Sequence, residues 1–354
     1  RQSSDGEHQQ SHQTIQPPPL FARECCLHDH SKYITMLIEI GAPCSLPLGV
    51  VRTREGTTRL VGVSLQHPPM DVFAEASPAF SITGPMAHKG FAYAQRFLAH
   101  HGLPQQANIE IELTTPDLMG LGAETLLGLS VARALAWVGG LPTDDALALA
   151  HAIGLGPEQA LEIWAFQQGG FLLADAQHLE APPRRHAIAH TDHEQAWGFV
   201  FLLPRIALDA PETLEADRLK ILLEAAPHLS PETERLTDEE LWPALEGDDL
   251  SAFGHGLMAI QQLNRQALAD AGMSLPFTTA EQVVLDLFRD RGAVAWGRSP
   301  TGMALFGLVR GASASDELRH HLSQLVGIYG GRVMATITDN VGARQALHER
   351  RPAG

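Results

Sequence analysis

The sequence predicts an α+β fold with antiparallel pairing, and three observations carry that expectation. Residues 36–113 hold short β-rich runs, one of which, 108–113, alternates apolar and polar as a half-buried strand should. A strand, a Gly-containing loop and a wholly apolar helix then follow one another over residues 108–136. In the second half, residues 293–337 give the order strand, turn, strand, helix, strand. At 354 residues, 44% apolar and 19% charged, with mean hydropathy −0.06, the chain can bury a sizeable core as one large or two medium domains, which excludes wholesale disorder.

Residues 1 to 19 are polar, rich in Gln, Ser and His, and end in Pro17-Pro18-Pro19, which predicts a disordered leader; residues 1–35 are assigned to it, and Met36 is an internal candidate start. The cluster Cys25-Cys26-Leu27-His28-Asp29-His30 is either a metal site or a set of incidental ligands, and no second ligand pair with structural-site spacing supports the former. Residues 37–40 and 60–65 read as strands, and 90–101 as a helix with Phe91, Ala94, Phe97 and Leu98 on one face.

The stretch from Thr114 to Ala136 is the most informative. Gly120 and Gly122 allow close approach of the backbone to a ligand. The first N–H groups of the following helix favour an anion such as phosphate; the other reading is a tight strand–helix turn. Helices are expected at 144–153 and 158–167, strands at 171–176 and 197–203, and a polar, His-rich hairpin or loop at 177–195. Long amphipathic helices are expected at 250–268, with Phe253, Leu257, Ile260 and Leu263 buried, and at 280–291. Strands at 293–296 and 303–309, a helix at 315–329 and a strand at 332–337 complete the pattern, with no repeat of solenoid period.

The net charge of −16 argues against a general binder of nucleic acid or anionic membrane. Residues 208–250 carry 13 Asp and Glu against three Lys and Arg, so most of the excess is expected on solvated helix faces. Three Cys form no disulfide framework and no CxxC pair, which suits a reducing, cytoplasmic setting. No apolar run approaches a membrane span, and the leader has no signal-peptide core.

The run Pro116…Gly120-Leu121-Gly122…Thr125, the segment 246–253 and the hairpin Gly297-x-Ser299-x-x-Gly302 resemble the GHMP kinase superfamily. More narrowly, Met119-Gly120-Leu121-Gly122 with Thr125, the run 165–171 (AFQQGGF), the same hairpin, and Asp339-Asn340-x-Gly342-Ala343-Arg344 are similar to the β-ribofuranosylaminobenzene 5′-phosphate synthase family, in the same order from Met36 to Arg344. The resemblance implies a two-domain fold: a ribosomal-protein-S5-like N-terminal domain at 36–203 and a ferredoxin-like α/β sandwich at 204–348. It implies phosphoribosyl transfer from a phosphoribosyl diphosphate to a hydroxybenzoate- or aminobenzoate-type acid, with loss of diphosphate and carbon dioxide, on the way to tetrahydromethanopterin in one-carbon metabolism. Diphosphate departure needs fixed N–H donors or a divalent cation such as Mg²⁺. A homodimer, or a heterodimer with a homologue, is also implied.

The chain departs from that family at three places. The family's A-R-L-H-F-G turn is here Ala42-Pro43-Cys44-Ser45-Leu46-Pro47-Leu48-Gly49. Its GLGSGTQ loop carries Ala123, Glu124 and Leu126 instead of Ser, Gly and Gln, and its R-S-G-I-G segment has become Glu158-Gln159-Ala160-Leu161-Glu162. Glu124 either turns away from or holds a cation at the cradle, or complements the helix dipole. The candidate substrate- and phosphate-binding residues are Gly120, Gly122, Ala123, Glu124, Thr125, Arg298, Ser299, Gly302 and Arg344, with no catalytic residue and no metal ligand assigned. Three readings follow: an altered phosphoribosyl-transferring synthase; a non-catalytic or accessory paralogue that pairs with an active homologue; and an ATP-using small-molecule kinase. The last is disfavoured because GLGAET lacks the usual Ser or Gly continuation. Lys32, Lys89 and Lys220 are the only lysines; Lys89 is placed either near the cleft or at an exposed helix start.

Overall fold

A computed structural model describes residues 35–188, 192–205 and 211–350. The predicted leader and its Cys/His cluster at 25–30 lie outside these residues. Two long strands, β1 (Thr35–Arg52) and β2 (Thr58–Ala76), form an antiparallel hairpin. β3 (Ser81–Thr83), α1 (Ala87–His101) and β4 (Ala107–Leu113) follow. Then come α2 (Ala123–Val138), α3 (Ala146–Ile153), α4 (Ala160–Gln168), β5 (Phe171–Asp175), β6 (Arg184–His186) and β7 (Trp197–Leu203). The second half holds α5 (Leu214–Ala225), α6 (Glu232–Leu236), α7 (Trp242–Glu246), α8 (Leu250–Asp270) and α9 (Thr279–Asp290). It ends with β8 (Ala295–Arg298), β9 (Leu305–Arg310), α10 (Ala312–Tyr329), β10 (Arg332–Ile337) and β11 (Arg344–Arg350).

The first sheet runs β11-β1-β2-β4-β3, with β5 on β2 and β6 on β5; the second runs β10-β7-β9-β8. All pairings are antiparallel except β3 with β4. The strands expected at 37–40 and 60–65 are thus parts of one far longer hairpin. Proline lacks the ladder N–H, and β1 carries Pro43 and Pro47 at its two register shifts, Ala42/Cys44 and Pro47/Gly49. Sheet membership does not divide at residue 203: β7 belongs to the second sheet, and β11 returns to pair with β1 in the first.

β2 positions the site. Its Arg59–Val63 stretch pairs with β5 and its Asp71–Ala76 stretch with β4, so that edge is split around Pro68. The loop leaving β4 begins at this gap, anchored by Thr115 Oγ1 donating to Pro68 O at 3.0 Å and Ser45 N–H donating to Leu121 O at 3.2 Å. The loop feeds α2, in which every residue from Thr125 to Ala136 is buried, as its all-round apolar sequence requires. Arg133 is the charged exception: it donates to Ala343 O at 3.2 Å, stacks 4.4 Å over Phe166, and burial lowers its pKa to about 10.

One core joins the two sheets. Trp197, Phe199, Phe201 and Phe306 pack with Phe253 and Leu257 of α8 in the same cluster as the β1, β2 and α2 side chains. The opposite face of the second sheet, with Val200, Leu202, Leu305 and Val309, packs on Val284 and Phe288 of α9 and on Leu318 and Leu322 of α10. Asn264 of α8 clasps β1: it accepts from Val50 N–H at 2.7 Å and donates to Val50 O at 2.8 Å.

Candidate functional site

The two glycine motifs meet. Gly120 and Gly122 adopt left-handed backbone, φ 71° and 76°, which glycine takes without strain. The β8–β9 hairpin lies along this loop: Met303 N–H donates to Leu118 O and Ala304 N–H to Met119 O, both at 3.1 Å. Ser299 Oγ donates to Gly120 O at 2.8 Å. Gly302 packs so closely on Met119 and Gly120 that a Cβ there would collide with their backbone.

Beside this junction, at the N-terminus of α2, lies a cavity of about 440 Å³. Gly122, Glu124 and Thr125 line it with Lys89, Tyr93, Asp117, Glu162, Glu212, Glu215 and Thr301. Glu124 faces the cavity and is held there: its Oε2 is 3.2 Å from Lys89 Nζ, and its Oε1 accepts from Tyr93 OH at 3.1 Å. Lys89 also binds Asp117 Oδ2 at 2.9 Å. Burial works to lower the Lys89 pKa, but the two carboxylates outweigh it and raise it. Burial first, then the Glu124 carboxylate, pushes the Tyr93 hydroxyl up.

Glu162 stands directly behind the loop. A Cβ on Gly122 would lie 2.8 Å from Glu162 Cγ and 2.7 Å from Ser45 Oγ, so only glycine fits between them. Glu162 is 8% exposed, its Oε2 has no hydrogen-bond partner, and burial raises its pKa to about 7. Ser45 Oγ is likewise buried without a partner. Glu215 of α5 reaches into the cradle itself: its Oε1 accepts from Gly120 N–H at 2.5 Å. Burial raises its pKa to about 8 against the opposing Gly120 bond, and Asp117 and Glu162 add to the rise. One turn further on, Arg218 Nη1 donates to Gly302 O. A single turn of α5 therefore ties both glycine loops.

The structure brings Gly120, Gly122, Ala123, Glu124, Thr125, Ser299 and Gly302 together. Arg298 and Arg344, grouped with them in sequence, do not line the cavity. Arg298 pairs with Glu281 Oε1 at 2.9 Å, donates to Leu275 O at 2.8 Å, and stacks 5.1 Å over Phe277. Arg344 binds Asp339 Oδ2 at 2.6 Å at the start of β11. Both guanidiniums are committed to structural partners. Among the described residues, no group of three or more His, Cys, Asp or Glu side chains is arranged to hold a metal ion. Sequence reasoning missed Glu215, Arg218 and Tyr93; Glu215 lies 95 residues from Gly120 inside the acidic run, with no local signal to single it out.

The architecture is that of the GHMP kinases. It resembles a homoserine kinase from Listeria monocytogenes, with a TM-score of 0.58 at 12% identity over 87% of this chain and 99% of that one. It resembles mevalonate diphosphate decarboxylase from Staphylococcus aureus, with a TM-score of 0.59 at 14% identity over 89% and 98% of the two chains. It also resembles L. major mevalonate kinase, with a TM-score of 0.59 at 14% identity over 85% and 96%. In sequence, the chain is 26% identical over 342 residues to β-ribofuranosylphenol 5′-phosphate synthase from Methanothermobacter thermautotrophicus, covering 87% of this chain and 99% of that protein. No family profile matches the chain. It is thus a GHMP-fold protein that resembles this synthase as a divergent relative. No helix among the described residues is long and apolar enough to cross a membrane.

Proposed function

We propose that the protein is a phosphoribosyl-transferring member of the β-ribofuranosylaminobenzene 5′-phosphate synthase type. The observation that carries this is the junction of the two family glycine motifs at the mouth of an α2-headed cavity. The substrates proposed are a phosphoribosyl diphosphate and a hydroxybenzoate- or aminobenzoate-type acid, with diphosphate and carbon dioxide lost in a step toward tetrahydromethanopterin. In this reading, the N–H groups of Gly120 and of the first turn of α2 take charge that builds on the departing diphosphate. The carboxylates around them suit the positive charge that develops on the ribose as that bond breaks. Mg²⁺ is proposed to arrive with the diphosphate, and the protein is proposed to work in the cytoplasm as a homodimer or beside a homologue.

A second reading, that of a non-catalytic or accessory paralogue, is favoured by a different observation. Asp117, Glu124, Glu162, Glu212 and Glu215 face a cavity in which Lys89 is already bound by two of them. The ATP-dependent kinase reading gains nothing from the site, because Lys89 is committed to these carboxylates.

Diphosphate release from phosphoribosyl diphosphate, measured with 4-hydroxybenzoate and 4-aminobenzoate in the presence of Mg²⁺, separates the readings. Turnover by the isolated protein supports the synthase. Release only with a co-purified homologue supports the accessory role, and an ATP-dependent phosphorylated product restores the kinase.

A further inference from the structure

We infer that Glu215 is an internal stand-in for the anionic ligand: its carboxyl occupies the Gly120 N–H and has to leave before a phosphate oxygen can take that donor. The inference rests on the phosphate-binding reading above and adds a gate to the same site.

The geometry is specific. Glu215 Oε1 sits 2.5 Å from Gly120 N, the one N–H of the left-handed Gly120 turn, and one N–H serves one strong acceptor at a time. Arg218, three residues on and therefore on the same helix face, binds Gly302 O across the junction. Leu222 and Ala225 bury the far end of α5, whereas Ala216 and Asp217 are exposed and Leu214, Glu215, Arg218 and Leu219 only half-buried. The start of the helix is therefore fastened largely by two polar contacts to the glycine loops, and these can break without opening the core. An independent observation marks the same cavity as built for an occupant: Glu162 Oε2 is buried on its wall with no partner. The groups facing Glu215 are mostly acidic, namely Asp117 from the loop and Glu162 from α4, with Lys89 from α1 opposing them. Once freed from Gly120 and opened to water, the Glu215 carboxyl can ionise and is then repelled by its acidic neighbours, so opening is assisted once a ligand has taken the N–H.

Met119-Gly120 is the only Met-Gly step in the chain, so labelling with carbonyl-¹³C Met and ¹⁵N Gly isolates the Gly120 amide by NMR. The probe ligand is inorganic diphosphate, titrated into wild type, Glu215→Gln and Glu215→Ala. The Gln variant keeps an acceptor oxygen and controls for folding. The expected result is a Gly120 amide signal similar in wild type and Glu215→Gln but displaced upfield in Glu215→Ala. Diphosphate should bind Glu215→Ala about tenfold more tightly than wild type, and the bound Gly120 signals should coincide in all three. A Gly120 signal unaffected by Glu215→Ala overturns the inference, as does equal affinity of wild type and Glu215→Ala. If wild type binds diphosphate and Gly120 ignores residue 215, only the gate fails. If the Gly120 signal responds to Glu215→Ala but none of the proteins binds diphosphate, the phosphate reading fails and the gate falls with it.

Discussion

Arg344 Nη2 lies 2.6 Å from Oδ2 of Asp339, a side chain with no exposed surface. The other oxygen of Asp339 accepts from Val341 N–H at 2.9 Å and Gly342 N–H at 2.7 Å. Arg344 therefore neutralises a buried turn anchor, away from the cavity at the head of α2. Because the Arg344 side chain is itself 56% exposed, solvent screening trims the pair. Arg344→Ala should lower stability by about 1 kcal/mol, and Asp339→Ala by about 3 kcal/mol because two amides are left unmatched. Urea denaturation reads both. A loss of diphosphate affinity in a folded Arg344→Ala variant would return this residue to the binding site.

Glu162 makes stability depend on pH. Its pKa rises from an ordinary 4.5 to about 7 on folding because burial disfavours the charge. The folded state thus binds more protons than the unfolded state between those values, so stability is fully present below about pH 4.5 and falls as pH rises toward 7, levelling off above. The loss attributable to this group is at most about 3 kcal/mol. Glu162→Gln should remove this component and melt higher than wild type at pH 8. Melting temperatures followed from pH 5 to pH 9 decide it; parallel curves for the two proteins would contradict the assignment.

The Gly302–Gly120 contact leaves no room for a methyl group. Gly302→Ala should cost about 2–4 kcal/mol, since the atoms it meets are backbone and cannot swing aside. The same substitution at Gly140, which has open space around it, should cost far less despite its φ of 70°. Equal losses at the two positions, by chemical denaturation, would show that the loops do not meet as described.

Lys89 neutralises two carboxylates at the cavity mouth, so Lys89→Met should destabilise the protein by about 1 kcal/mol. It should also weaken diphosphate binding by about tenfold, through the negative field left behind. Adding Glu124→Gln to Lys89→Met should recover part of both effects. Calorimetric titration of the single and double variants tests this, and strictly additive effects would mean that Lys89 and Glu124 do not interact.

The legible parts of the fold were those with local periodicity. β4 alternates cleanly and α2 is apolar all round, so each is readable from its own residues. β1 and β2 hid their length because Pro43, Pro47, Pro68 and Pro69 interrupt what reads as strand, while tertiary pairing carries the ladder past them through bulges. β11 is RQALHER, a polar edge strand whose pairing with β1 is wholly non-local. Within the site, the glycines and Glu124 can be named from the loop pattern, and Glu162 only as a departure from the family's R-S-G-I-G segment. Glu215 cannot, because one acid in an acidic run is distinguished only by the α5 turn that aims it at Gly120. For the arginines, charge type suggests anion binding, whereas their ion pairs with Glu281 and Asp339 are set by tertiary folding and invisible in the sequence.

The pairing of β11 with β1 also sets an order of events during synthesis. Met36 to Gly41 find their outer neighbours only when Arg344 to Glu349 have emerged. Until then, one edge of the first sheet stays open although every other strand of that sheet has already been made. An open edge of Leu37, Ile38 and Ile40 is a template for pairing with other nascent copies. The protein should consequently depend on chaperones until residues 344–349 have emerged, and shortening it before residue 344 should yield aggregates even though every residue of the cavity is present.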